Sequence, residues 1–178
     1  MGDDDTRQLP ADLDRMLATK EGLDLDKAVQ LALGDVKILR ELLDGIVSKK
    51  ETYRYNCYKV LLRISESQPQ VLYPEWDYFV ELLDSNNSYH RCASINIIAN
   101  LVTVDGERRF EQVFDQYFRL LDDEKMIPAV HVAQSAGKIA RAKPHLQAGI
   151  TERLLRIDET HHAEGRKDLI KGAAIESF

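Results

Sequence analysis

A four-residue phrase recurs along this chain at intervals that suit a stack of similar units. Glu41-Leu42-Leu43-Asp44 returns as Glu81-Leu82-Leu83-Asp84, then as Arg119-Leu120-Leu121-Asp122, and more loosely as Arg153-Leu154-Leu155-Arg156. From Leu42 to Leu82, Leu120 and Leu154 the successive steps are 40, 38 and 34 residues. Self-similarity at such a period marks an array in which each unit buries its apolar face only against its neighbours.

Each copy closes one amphipathic segment and precedes a second. Val36, Leu39, Leu42 and Leu43 share a helical face, as do Trp76, Phe79, Leu82 and Leu83, and Phe114, Tyr117, Leu120 and Leu121. The second segments align Cys57, Val60, Leu61 and Ile64 with Ser94, Ile97, Ile98 and Leu101, then with Val132, Ser135, Ala136 and Ile139. Pro74, Pro128 and Pro144 suit first helical turns, where a missing N–H removes no bond. Ser88 is read as an N-cap. Earlier helices are expected from about Ala11 to Lys20 and from Leu25 to Leu33, and a ragged closing helix over Ile170 to Phe178. No long alternating run of β-branched residues competes, so the chain is expected to be all-α.

The predicted organisation is a disordered acidic stretch over residues 1–9 and one helical domain over 10–178. Its approximate repeats are a cap at 10–33, then 34–67, 70–104, 107–142 and 144–178. A chain of 178 residues buries about 70% of its unfolded surface and needs no disulfide scaffold. Two cysteines and the absence of an eighteen-residue apolar run lead to the expectation of a cytoplasmic protein with no membrane span. The net charge of −6 is mostly an end effect, since residues 1–30 alone contribute −4.

Helix pairs at this spacing, with phrases such as Ser135-Ala136-Gly137-Lys138-Ile139-Ala140 ending a second helix, resemble HEAT repeats of the armadillo-like α-solenoid superfamily. Asp44 with Arg54 and Asp84 with Arg91 look like that family's turn aspartate and its second-helix arginine. The third copy keeps Asp122 but has Ala129 at the arginine position, and the fourth has Arg156 for the aspartate. The resemblance spans roughly residues 35 to 175. It implies a right-handed α-α superhelix of about four helix pairs, whose second helices line a concave face that holds protein or peptide partners. Some relatives grip damaged DNA and others assist bilin attachment.

Stacking the second helices in register sets polar rows about 150° from the buried stripes. Lys59, Arg63 and Glu66 fall level with Asn96, Asn100 and Thr103, and with Gln134, Lys138 and Arg141. Amide side chains donate and accept together, so such a ladder suits an extended peptide, and its cations favour an acidic one. The expected partner-binding residues are therefore Tyr55, Lys59, Arg63, Asn96, Asn100, Gln134, Lys138 and Arg141. A nucleic-acid-binding or DNA-glycosylase-like protein is the alternative, but it needs a strongly basic face with a converging Trp–Asp pair.

Other clusters are read as structural. Trp76, Cys57, Cys92 and His131 are expected to pack, with Tyr55 and Tyr89 exposed. No nucleophile, phosphate-binding or calcium-loop motif occurs, so neither catalytic residues nor cofactors are expected. His161 and His162 lie among Asp158, Glu159 and Glu164, but adjacent residues on a helix diverge by about 100°. On that ground no metal site is expected.

Overall fold

The computed structural model describes residues 9–178, and among these every regular element is helical. The acidic stretch expected to be disordered lies outside them except for Leu9, which is buried. The chain separates into two compact units, one ending at Ser67 and the other running from Gln68 to Phe178. That break falls between the repeats expected at 34–67 and 70–104.

The first unit contains α1 (Ala11–Ala18), α2 (Leu25–Gly34), α3 (Val36–Gly45) and α4 (Glu51–Ser67). Asp24 and Asp35 open α2 and α3 by accepting the amides of Lys27 and Lys37, which satisfies first-turn donors. Helix α4 packs on the other three. Its buried Asn56 donates to the carbonyls of Leu17 and Thr19 at 3.0 and 2.8 Å, closing the otherwise open C-terminal end of α1. Leu39, Leu42 and Leu43 enter the core as expected, but Val36 is 73% exposed. It stands at the first position of α3, before the helix has turned its stripe inward. Gly45 meets the side chains of Cys57 and Tyr53 so closely that a Cβ there would overlap the Cys57 sulfur.

In the second unit, α5 (Pro69–Leu72), a 3-10 turn at Tyr73–Glu75 and α6 (Trp76–Leu82) form one broken helical stretch. Then follow α7 (Ser88–Leu101), α8 (Arg109–Arg119), α9 (Met126–Ala142), α10 (Gln147–Leu155) and α11 (Glu164–Ser177). The N-cap of α7 is Asn87, which accepts from Tyr89 N at 3.0 Å; Ser88, expected in that role, is the first helical residue. The closing helix begins at Glu164, earlier than expected.

Helix α9 lies between α7 and α11. Ala129, Ala133, Ala136, Gly137 and Ala140 are buried on it, and such small side chains let neighbouring backbones approach. At Gly137 the approach is closest, since a Cβ would run into the Ser177 carbonyl. Helix α7 is apolar around most of its circumference: Ala93, Ile95, Ile97, Ile98, Ala99 and Leu101 are all buried. A helix of that kind belongs in an interior.

Side-chain links in this unit step forward by roughly one repeat. Arg109 pairs with Asp77, Gln116 with Asp84, Lys143 with Asp105 and Arg153 with Asp115, over 32 to 38 residues. A further buried link joins Arg91 to Asp123. The guanidinium Nε and Nη2 reach the two carboxylate oxygens at 2.6 and 2.8 Å, and Nη1 donates to the Ser85 carbonyl at 2.6 Å. Both residues are more than nine-tenths buried.

Asp105 organises the entry to α8. It accepts the amides of Arg109 and Phe110, the Tyr73 hydroxyl at 2.7 Å and the Lys143 ammonium at 2.9 Å. Burial alone would raise its carboxyl, but these four donors together hold it below the usual carboxylate value.

Two outcomes follow from these buried groups. Arg91→Met leaves Asp123 charged and unpaired in the interior, and should cost about 3–5 kcal/mol in urea unfolding. Adding Asp123→Leu to it should recover most of that loss, because the stranded charge is then gone. As the folded carboxyl of Asp105 is depressed, its contribution is present above the unfolded value and lost as pH falls through the folded one. Unfolding midpoints followed from pH 6 downward should therefore fall steeply below about pH 4. Asp105→Asn should start lower at neutral pH and show a shallower acid slope.

Candidate functional site

Charge is distributed unequally among the helices of the second unit. α6 carries Asp77 and Glu81, α8 carries Glu111 and Asp115, and α10 carries Glu152. Neither α7 nor α9 contains a single Asp or Glu over its whole length. Arg91 on α7 is neutralised in the interior by Asp123, so the exposed cations of this helix pair are Lys138 and Arg141 on α9.

The polar residues expected to form an open ladder here are partly joined to one another. The Asn96 side chain meets His131 Nδ1 at 2.8 to 3.0 Å, linking α7 to α9. Burial lowers the His131 imidazole below its ordinary value, so the ring is neutral at pH 7 and one nitrogen can accept. Lys138 Nζ donates to Asn100 Oδ1 at 2.5 Å. Asn100 is only 5% exposed and belongs to the interior, which corrects its expected role as a ligand-facing amide. Opposite the apolar stripe of α7 lies a second helix rather than solvent. Arg141 Nη1 donates to the Ser177 carbonyl at 3.1 Å, tying α9 to the end of α11. Gln134 and Lys138 are exposed, and Asn96 is half-buried.

The remaining expected residues lie on α4 in the first unit. Tyr55 and Arg63 are exposed, and the half-buried Lys59 places its ammonium 5.0 Å from the Tyr55 ring centroid. Such a cation–π contact at the surface is worth about 0.5–1 kcal/mol and restricts both side chains. Tyr89 is exposed at the start of α7, as expected.

Trp76 is buried beside Tyr73, with the Arg109 guanidinium 5.7 Å from its ring, and so packs as expected. Cys57 is buried and Cys92 half-buried. Burial pushes both thiols up to about 12, with nearby carboxylates adding to the shift.

One grouping departs from the sequence expectation. His161 and His162 do not lie on a helix; they sit between a 3-10 turn at Arg156–Glu159 and α11, and their ring centroids are 4.3 Å apart. Together with Asp122 they bring one ligand-capable atom each to within 4.8 Å of one another. Beside them opens a cleft of about 280 Å³ lined in part by Asp122, Thr160, Arg119 and Arg156. The run of two histidines was visible in the sequence, but their shared orientation depends on the chain leaving helical geometry after Glu159.

No helix is long and apolar enough to cross a membrane among the described residues. A scan against protein-family models finds no match for this chain, and a search of curated proteins finds none either. The thiol environments carry an expectation of their own: at pH 8 in the folded protein, neither cysteine should react with a disulfide reagent at the rate of a free thiol. Both should react once urea unfolds the chain, and rapid native labelling at Cys92 would show that its burial is transient.

Proposed function

We propose that the chain is a non-catalytic interaction module that holds an extended partner segment against its second helices. In this reading it is a HEAT-like right-handed α-α superhelix of about four helix pairs. The observation that carries the reading is the absence of any carboxylate on α7 and α9, in a chain whose net charge is −6. A face built from amide, imidazole, ammonium and guanidinium groups is rich in hydrogen-bond donors. Its complement is a ligand rich in acceptors, namely peptide carbonyls and acidic side chains.

Gln134, Lys138 and Arg141 provide the exposed contacts, and Asn96 with His131 provides a neutral pair that can accept as well as donate. Tyr55, Lys59 and Arg63 on α4 offer a comparable set in the first unit. The side-chain links that recur at about one repeat length support the stacked-pair reading. A nucleic-acid ligand is less favoured by this face. Lys138 and Arg141 are its two exposed cations, whereas useful phosphate affinity generally rests on several neutralised phosphates.

Gln134→Glu combined with Arg141→Glu places two carboxylates on this face without touching the core. The double variant gives up only the exposed bond from Arg141 to the Ser177 carbonyl, at a cost of about 1 kcal/mol, so its thermal midpoint should stay within a few degrees. Its recovery of partner from native lysate should fall at least tenfold relative to the unaltered chain. Unchanged recovery would remove the face from the proposal. Salt-sensitive retention of DNA in a mobility assay, lost in the same variant, would instead favour the nucleic-acid reading.

A further inference from the structure

The turn that joins α10 to α11 carries an arrangement that partner binding does not use. Asp122 ends the 3-10 turn after α8, and its Oδ1 accepts from both the backbone amide and the ring Nδ1 of His161, at 2.8 and 2.6 Å. These bonds fix the His161 ring over the carboxylate. His162 follows directly, but its side chain turns inward and is only 4% exposed. Its Nε2 is buried and has no hydrogen-bond partner within the protein.

An imidazole nitrogen in that condition is costly to bury unless its lone pair is used. Neutral imidazole ligates metals through the lone pair of the nitrogen that carries no proton.

From this geometry we infer that Asp122, His161 and His162 form a binding site for a borderline divalent transition-metal ion of the zinc type. Two imidazoles and one carboxylate match the donor preference of Zn²⁺, Co²⁺ and Ni²⁺, whereas Mg²⁺ and Ca²⁺ favour oxygen alone. Metal–ligand bonds of about 2.1 Å place tetrahedral ligands about 3.4 Å apart. Donor atoms that now lie within 4.8 Å of one another must therefore close by up to about 1.4 Å. His161 and Asp122 can supply that movement, because both side chains are about half exposed. The hydrogen bond between them places a proton on His161 Nδ1; a cation entering there takes that nitrogen's lone pair as the ring proton passes through water to Nε2. The exposed side chains of His161 and Asp122 open the cluster to solvent, and water completes the coordination shell as in other three-ligand sites.

The test uses the untagged full chain, dialysed against chelator and then titrated with Zn²⁺ by calorimetry and with Co²⁺ by visible absorption. One equivalent should bind, and Co²⁺ should give the visible bands of a low-coordinate nitrogen–oxygen site. Asp122→Asn and His161→Ala, both at exposed side chains, should each weaken binding at least tenfold, and His162→Ala should abolish it. His145→Ala, at a histidine remote from the cluster in sequence, should bind as the unaltered chain does. The inference is overturned if the unaltered chain binds neither ion at a one-to-one ratio. It is overturned equally if Asp122→Asn and His161→Ala bind like the unaltered chain, a comparison that stands even where His162→Ala fails to fold.

Discussion

A guanidinium that leaves water must find a partner that replaces most of its hydration, and Arg91 finds it in the turn one repeat ahead. Its bidentate contact with Asp123 takes both carboxylate oxygens, while Nη1 holds the Ser85 carbonyl in the turn before α7. Asp123 in turn accepts the Lys125 amide at the entry to α9. One side chain thus fixes the starts of two neighbouring helices, and the small-residue face of α9 can then seat between α7 and α11. The first unit repeats part of the device, for Arg54 Nη1 reaches the Ser48 carbonyl at 3.0 Å in the turn before α4. A buried pair of this kind contributes little net stability against apolar replacements, but it strongly penalises any arrangement that leaves one partner alone. It therefore selects the order in which helices stack.

The same arithmetic explains where the acids are. Asp77, Asp84 and Asp115 are more than half exposed in their pairs with Arg109, Arg119 and Arg153. Exposed pairs of this sort are each worth under about 1 kcal/mol and are screened by salt. Their effect is distribution rather than stability: the carboxylates are held along α6, α8 and the turns, away from α7 and α9. What is left between the second helices is a donor-rich strip whose own members cross-link. Asn96 with His131 and Asn100 with Lys138 hold adjacent helices together. Structural struts and candidate contacts thus come from one set of residues, which limits how far any of them can be altered alone.

Much of the fold was legible because helix burial is largely a local property. Leu42 and Leu43, Trp76 and Phe79, Leu120 and Leu121, and the stripe from Cys57 to Ile64 are all buried as their 3.6-residue spacing implies. Helices α1 and α2 start at Ala11 and Leu25, where the sequence led them to be expected. The failures have a common origin in neighbours that a single helix cannot report. Asn100 looked solvent-facing because it stands opposite the α7 stripe, yet Lys138 of α9 covers it. At the α7 entry, Asn87 took the cap that Ser88 could also have made, a choice between two adjacent oxygens with similar propensities.

His161 and His162 show the sharpest form of that difficulty. On a helix their rings would diverge, and the reasoning from helical geometry was sound; its premise fails because the chain bends between Glu159 and Glu164. Asp122 explains the conformation of His161, whose amide and ring both answer to one carboxylate oxygen. It does not explain why the next residue buries an imidazole with one nitrogen unmatched, where an aliphatic side chain would fill the space without any polar atom to satisfy. The turn itself needs only Asp122 and His161. The buried ring of His162, with its Nε2 unclaimed by the protein, is accounted for when that lone pair is a ligand, and this separates a metal site from a polar turn that happens to contain two histidines.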